Sequence, residues 1–176
     1  HGTNAAATYP RVIGHEMVGV VEETGKDVKH LKVGDRVIIN QVVSCGHCYP
    51  CNHNRGNVCD NLQVRGVHID GGYREYMAVP EEDCYILPDN LRDADAVMIE
   101  PTTIAIQSLS RAKLQDDDML FIIGCGALGS SILRMARLSK ARIISGDIVE
   151  DKLLEAKENG ADFTVNLLAE DFEEKI

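Results

Sequence analysis

The 176 residues carry a formal net charge of -10, with 44% hydrophobic and 26% charged side chains, the balance of an ordinary globular chain with room for one good core or two modest ones. An acid excess of this size excludes a nucleic-acid surface, which needs clustered Lys and Arg. The longest uncharged stretch, residues 119–133, falls short of the roughly 20 apolar residues of a membrane span, and no basic start followed by an apolar block marks a secretory leader.

In chain order, residues 17–23 are rich in β-formers, 33–39 read as a turn followed by a strand, and 72–79 alternate in part. Glycines at 14, 19, 25, 34, 66, 71 and 72 punctuate this region, as expected of a compact, irregular β domain. A loop interrupts it with Cys45, Cys48, Cys51 and Cys59, spaced C-x2-C-x2-C-x7-C. Two-residue gaps turn successive thiolates toward one point, and the longer gap brings a fourth from the opposite side. Four thiolates around one ion make a closed tetrahedral site with no position open to water, the arrangement of a structural zinc. Disulfides are the rival reading, disfavoured in a reducing cytosol, and a four-thiolate iron is a second alternative.

From Asp93 the pattern turns helical, with an expected break at Pro101. After Lys113 the regime changes again. Strands are expected at 119–123, 141–145 and 163–165, and helices at 127–138 and 151–159. That succession, β-α-β-α-β, opens a doubly wound parallel sheet. The acidic runs 116–118 and 171–174 read as solvated turns and helix starts. His1, His30, His47 and His53 read as exposed loop residues, and Cys84 and Cys125 as small buried fillers.

Gly124-Cys125-Gly126-Ala127-Leu128-Gly129 is G-x-G-x-x-G. Alone the string is weak. Here it follows an apolar strand, opens a helix, and is answered by Asp147 at the end of the next strand, 18 residues past Gly129. The glycines permit a tight turn and close approach of a pyrophosphate to the helix N-terminus. Asp147 can accept both ribose hydroxyls and would repel a 2′-phosphate, which favours NAD over NADP. A strand-helix turn without a nucleotide is the bland alternative. Elsewhere, Gly14-His15-Glu16 and Glu100, the acid beside an apolar stretch before Pro101, supply residue types suited to a catalytic zinc with an exchangeable position.

Taken together, Pro10-Arg11-Val12-Ile13-Gly14-His15-Glu16, Val33-Gly34-Asp35-Arg36-Val37, the four-cysteine lobe, Asp70-Gly71-Gly72-Tyr73-Arg74-Glu75-Tyr76, Ile99-Glu100-Pro101 and the glycine motif with Asp147 resemble the zinc-dependent medium-chain alcohol and polyol dehydrogenases, in the family's order and over almost the whole chain. The resemblance implies an α/β protein: a GroES-like, β-rich catalytic domain over residues 1–112, then the first half of a Rossmann sheet over 113–176. It carries His15 over as a catalytic-zinc ligand and Glu16 as a further ligand or the group that exchanges with substrate. Glu100 stands where alcohol-type members use Cys and polyol-type members use Glu. The cofactor set becomes Gly124, Gly126, Leu128, Gly129, Asp147, Ile148 and Lys152, the last two flanking the adenosine end in relatives.

The family's first catalytic ligand, a Cys, and its proton-relay hydroxyl would lie upstream of His1, and its later Rossmann strands beyond Ile176. The resemblance therefore implies an internal piece of a dehydrogenase roughly twice as long, not expected to turn over substrate alone. For the intact protein the expectation is zinc- and NAD-dependent oxidation of a secondary hydroxyl on a polyol or sugar acid by a cytoplasmic homo-oligomer, a dimer or tetramer, with a small-molecule substrate and no membrane or nucleic-acid partner. The alternatives are a zinc-dependent alcohol or threonine dehydrogenase, a zinc-free quinone reductase, and a non-catalytic zinc-stabilised nucleotide-binding protein. Arg65 and His68 are candidate contacts to a polar or carboxylate-bearing substrate, or else loop hydrogen bonders.

Overall fold

β-branched residues on either side of a glycine turn set up the first sheet. In the computed structural model, which describes residue 7 and residues 9–169, strand β1 (Met17–Val20) pairs antiparallel with β2 (Arg36–Ile39). Gly34, at φ +92°, turns the chain between them, and its N–H donates to the Val21 carbonyl at 2.9 Å. The Asp35 carboxylate closes the same turn by accepting the Lys32 N–H at 2.9 Å. Further along, β3 (Val42–Val43) pairs antiparallel with β4 (Gln63–Val64), and between them lie the short helix α1 (Tyr49–Asn52) and the cysteine loop. Strand β5 (Cys84–Ile86) returns to β2, giving the order β1-β2-β5, and α2 (Asp93–Ala96) follows. Met17, Val37 and Leu87 are buried in this part of the chain. Arg36 ties the sheet to the segment ahead by donating to the Leu91 carbonyl and the Asp93 carboxylate.

The second succession is a parallel βαβαβ. Helix α3 (Ile99–Ala112) leads into β6 (Met119–Ile123), α4 (Ala127–Ala136), β7 (Arg142–Asp147), α5 (Glu150–Glu158) and β8 (Phe163–Asn166). The sheet order is β6-β7-β8, with Ile122 opposite Ser145 and Asp147 opposite Asn166. The strands are short apolar runs because helices cover them, the pattern of a parallel sheet. Leu133 and Ala136 of α4, and Leu153 and Ala156 of α5, bury against Ile122 and Ile143, and Leu109 of α3 packs on the same core.

The chain divides into two compact units, residues 1–98 and 99–176. Helix α3, the last element of the 1–112 stretch, falls within the second of these units. Two local expectations are corrected. Pro101 does not break a helix; it is the third residue of α3. An amide N–H in a first turn has no intrahelical partner, so its loss there is tolerated. Residues 72–79 form no strand. The N–H groups of Gly71, Gly72 and Tyr73 instead donate to the carbonyls of Val12, Gly14 and Ile13, and Tyr73 through Tyr76 are all exposed, so the alternation marks no buried face. Arg65 takes the hydrogen-bonding alternative: it is 5% exposed and ion-paired with Asp83, its Nε donating to the Asn40 carbonyl at 3.3 Å. His68 accepts the Val64 N–H through Nδ1 at 2.9 Å, a bond that shapes its own loop. The acidic run 116–118 is an exposed turn, as expected; His1 and residues 171–174 lie outside the described residues.

The Arg65–Asp83 pair holds β4 to the turn before β5, so losing one partner leaves a buried charge uncompensated. Asp83→Ala should destabilise the protein by about 3 kcal/mol, read by chemical denaturation. A change within about 0.5 kcal/mol, the range of an ordinary surface substitution, would show the pair to be dispensable.

Candidate metal and nucleotide sites

The four-cysteine lobe is short of apolar material, and its geometry is set by hydrogen bonds. Cys48 precedes α1, Pro50 occupies its first turn, and the Asn52 N–H returns to the Cys48 carbonyl at 3.0 Å. Cys51 lies within that turn. Asn54, at φ +56°, and a 3-10 turn at Gly56–Val58 then bring Cys59 back. Its Sγ accepts the N–H groups of Cys45 at 3.2 Å and Asn61 at 3.3 Å. The Sγ atoms of Cys45, Cys48, Cys51 and Cys59 all lie within 4.8 Å of one another. Cys48 Sγ is 3.3 Å from that of Cys51 and 3.7 Å from that of Cys59. A disulfide needs about 2.05 Å, so these are four free thiols. Zinc–sulfur bonds of about 2.3 Å in a tetrahedron put the sulfurs roughly 3.8 Å apart. The donor set fits such an ion.

The thiols also divide their charge unevenly. The His47 N–H, ahead of other hydrogen bonds, brings Cys45 down to about 6, while the hydrogen bond with Cys48 pushes Cys51 up to about 11. Four sulfurs this close cannot all ionise without a cation among them. Metal uptake would therefore release protons.

His15 and Glu16 are exposed in the segment between Gly14 and β1. Their backbone is held by a clasp that the sequence does not advertise. Asp70 accepts the Val12 N–H at 3.2 Å and pairs with Arg11 and Arg74 at 3.5 and 3.2 Å. Gly14 stands at φ +98°, and its carbonyl oxygen would lie 2.1 Å from any Cβ on residue 71. No side chain larger than hydrogen fits at residue 71. Glu100 lies half-buried in the first turn of α3, in the second unit, and its carbonyl accepts the Thr103 hydroxyl at 2.7 Å.

In the second unit the glycine motif spans the end of β6 and the start of α4. Gly124 takes φ +94°, and its N–H donates to the Gly146 carbonyl at 2.7 Å. A Cβ on Gly129 would come within 1.8 Å of the Gly124 oxygen, so helix and turn touch through bare backbone. A Cβ on Gly126 would meet no atom within 4 Å. That glycine leaves open space at the N-terminus of α4, where an anion is favoured. Cys125 is buried in the core and anchors the turn; burial raises its thiol. Its N–H donates to Asp147 Oδ2 at 2.6 Å, and the Val149 N–H donates to Oδ1 at 3.0 Å. Those two bonds, the Cys125 one foremost, hold the Asp147 carboxyl below its usual range. Asp147 thus faces the glycine turn as a fixed carboxylate at the carboxyl ends of the parallel strands, where open α/β sheets bind ligands. Leu128, in the first turn of α4, and Ile148, next to Asp147 in sequence, are exposed, and Lys152 is in the first turn of α5.

Residues 1–89 match the family model described as the alcohol dehydrogenase GroES-like domain. The chain belongs to that family. Its first unit is the GroES-like part, and its βαβαβ unit is the opening of the Rossmann sheet that follows it. The chain is 42% identical over 167 residues to the starvation-sensing protein RspB of Escherichia coli K12, covering 94% of itself and 49% of the relative. A crystal structure of an alcohol dehydrogenase, rspB, from E. coli CFT073 complexed with NADH superposes with TM-score 0.88 at 39% identity, over 96% of this chain and 52% of that one. A protein described as a zinc-binding dehydrogenase from Sinorhizobium meliloti 1021, bound to NADP, gives TM-score 0.90 at 32% identity, over 97% and 50%. Further relatives bear the names of dehydrogenases of alcohols, sorbitol, threonine and sugar acids. The chain spans about half the length of the curated relatives it matches.

Removing one thiol should empty the lobe. Cys48→Ser should lower zinc content by about one ion per chain and lower the melting temperature, because a metal-held loop draws its folding energy from the ion. Unchanged zinc by elemental analysis together with unchanged melting would refute a tetrathiolate site.

Proposed function

We propose that the full-length protein is a zinc- and NAD-dependent dehydrogenase that oxidises a secondary hydroxyl on a polyol or sugar acid. The observation that carries the reading is the Asp147 carboxylate, locked to the glycine turn through the Cys125 N–H, in a chain whose first unit matches the alcohol dehydrogenase GroES-like domain. Zinc, when bound, supplies a Lewis acid that lowers the pKa of a hydroxyl, and NAD supplies the hydride acceptor.

The chain's own residues do the rest. Gly124 and Gly129 set a turn through which α4 presents its N-terminus to the pyrophosphate, and Gly126 leaves the approach clear. Asp147 orients the adenosine ribose through its two hydroxyls. His15, Glu16 and Glu100 are the proposed metal-facing residues of the reacting centre, with Glu16 or Glu100 able to exchange for substrate or water. The Asp70 clasp fixes the backbone from which His15 projects. The tetrathiolate lobe has no exchangeable position and serves to hold its loop. Glu100 in place of a thiolate makes the donor set harder and richer in oxygen, which suits a chelating vicinal diol or hydroxy acid.

Two measurements test this. In the full-length enzyme NAD should serve better than NADP, and Asp147→Ser with Ile148→Arg should move the preference toward NADP by removing a carboxylate and adding a cation. An unmodified enzyme that prefers NADP would show Asp147 to be misassigned. Separately, NADH formation should be followed with sorbitol, xylitol, L-iditol, galactonate, gulonate, threonine, ethanol and benzyl alcohol. Turnover should concentrate on the polyhydroxy compounds; strong oxidation of primary alcohols alone would place the protein in the alcohol branch.

A further inference from the structure

The carboxylate of Asp147 is held in its ionised form by hydrogen bonds. Both its oxygens accept backbone N–H groups, from Cys125 at 2.6 Å and Val149 at 3.0 Å, and its pKa is held down by them. A 2′-phosphate placed there would meet a negative charge at neutral pH. The surroundings add to it, because Glu150 and Asp151 open α5. Whether that repulsion is felt in full depends on the cations within reach. Lys152, in the first turn of α5, donates its N–H at 3.1 Å to the carbonyl of Val149, the residue whose own N–H bonds Asp147. It is not at liberty, however. Its Nζ donates to Glu155 Oε2 at 2.6 Å, an i,i+3 ion pair on the same helix. Arg134 of α4 donates to the Asn159 side chain at 3.0 Å.

We infer that Glu155 is a specificity-determining residue for the cofactor. By occupying the Lys152 ammonium it prevents that cation from turning to a 2′-phosphate, so exclusion of NADP is the joint work of Asp147 and Glu155. This rests on the nucleotide reading of the glycine turn and adds to it a residue that touches no cofactor atom. The spread of cofactors in structures of similar fold, NADH in one and NADP in another, fits a choice made by side chains around a common turn.

The test is direct binding, followed by the intrinsic fluorescence of NADH and NADPH titrated with the full-length protein. Glu155→Gln should tighten NADPH relative to NADH by roughly two- to fivefold, the scale of an exposed ion pair. Adding Lys152→Met should return the ratio to that of the unmodified protein. A ratio unchanged in Glu155→Gln, with NADH still bound, overturns the role of Glu155 alone. A shift that persists without Lys152 also overturns it, since the change would then be a general loss of negative charge. Failure of the unmodified protein to bind either nucleotide overturns the nucleotide reading and this inference with it.

Discussion

The Gly124 oxygen sits where a Cβ on residue 129 would have to go, and the Gly14 oxygen sits where a Cβ on residue 71 would have to go. Both units therefore depend on the same constraint, backbone meeting backbone without side chains between. In the second unit the contact sets the first turn of α4 against the end of β6. In the first unit it seats the segment bearing His15 and Glu16 against the 70–73 strip. A glycine adds conformational entropy to the unfolded chain, so an element that uses several in this way must recover stability elsewhere. Carboxylates that accept backbone N–H groups hold several of the turns between these elements.

Those carboxylates give the net charge of -10 a structural meaning. Glu81 accepts the N–H groups of Lys29, His30 and Leu31, and these bonds, that of His30 first, lower its pKa. Asp162 takes the Ile143 N–H at 2.7 Å and Asp118 that of Gln115 at 2.8 Å. Each fixes a turn by a charge-assisted bond stronger than a neutral one. A carboxylate stabilised in the fold contributes while it stays ionised and loses that contribution as pH falls through its folded pKa. For Glu81 and Asp147, whose folded values are depressed, the loss begins near the ordinary carboxylate range and completes below it.

Much of the second unit was legible because its signals are local. The apolar run 119–123 and the helical patterns over 127–138 and 151–159 each mark their element within a few residues. The cysteine spacing was legible for the same reason. What escaped depends on partners far apart in the chain. Nothing near Asp70 says that it clasps Val12, 58 residues away, and nothing near Arg65 announces Asp83. Residues 72–79 look strand-like by alternation, but the N–H groups of Gly72 and Tyr73 bond the carbonyls of Gly14 and Ile13, and no strand follows. Pro101 reads as a break in the sequence because its position within the first turn is visible only once the helix start is known. Glu155 carries no motif at all; only its spacing from Lys152, three residues along a helix, hints at a pair.

The tetrathiolate lobe has one further implication. It is anchored at its base by two-residue strands, Val42–Val43 with Gln63–Val64, and of its cysteines only Cys59 is buried. The glycine turn, by contrast, is embedded in an apolar core of its own. The two regions therefore answer to different supplies. A cell short of zinc would make chains whose nucleotide unit exchanges amide hydrogens slowly while residues 44–62 exchange freely and are open to proteases. Nutritional metal status would be written into this protein as a site of cleavage, at the tip of one loop.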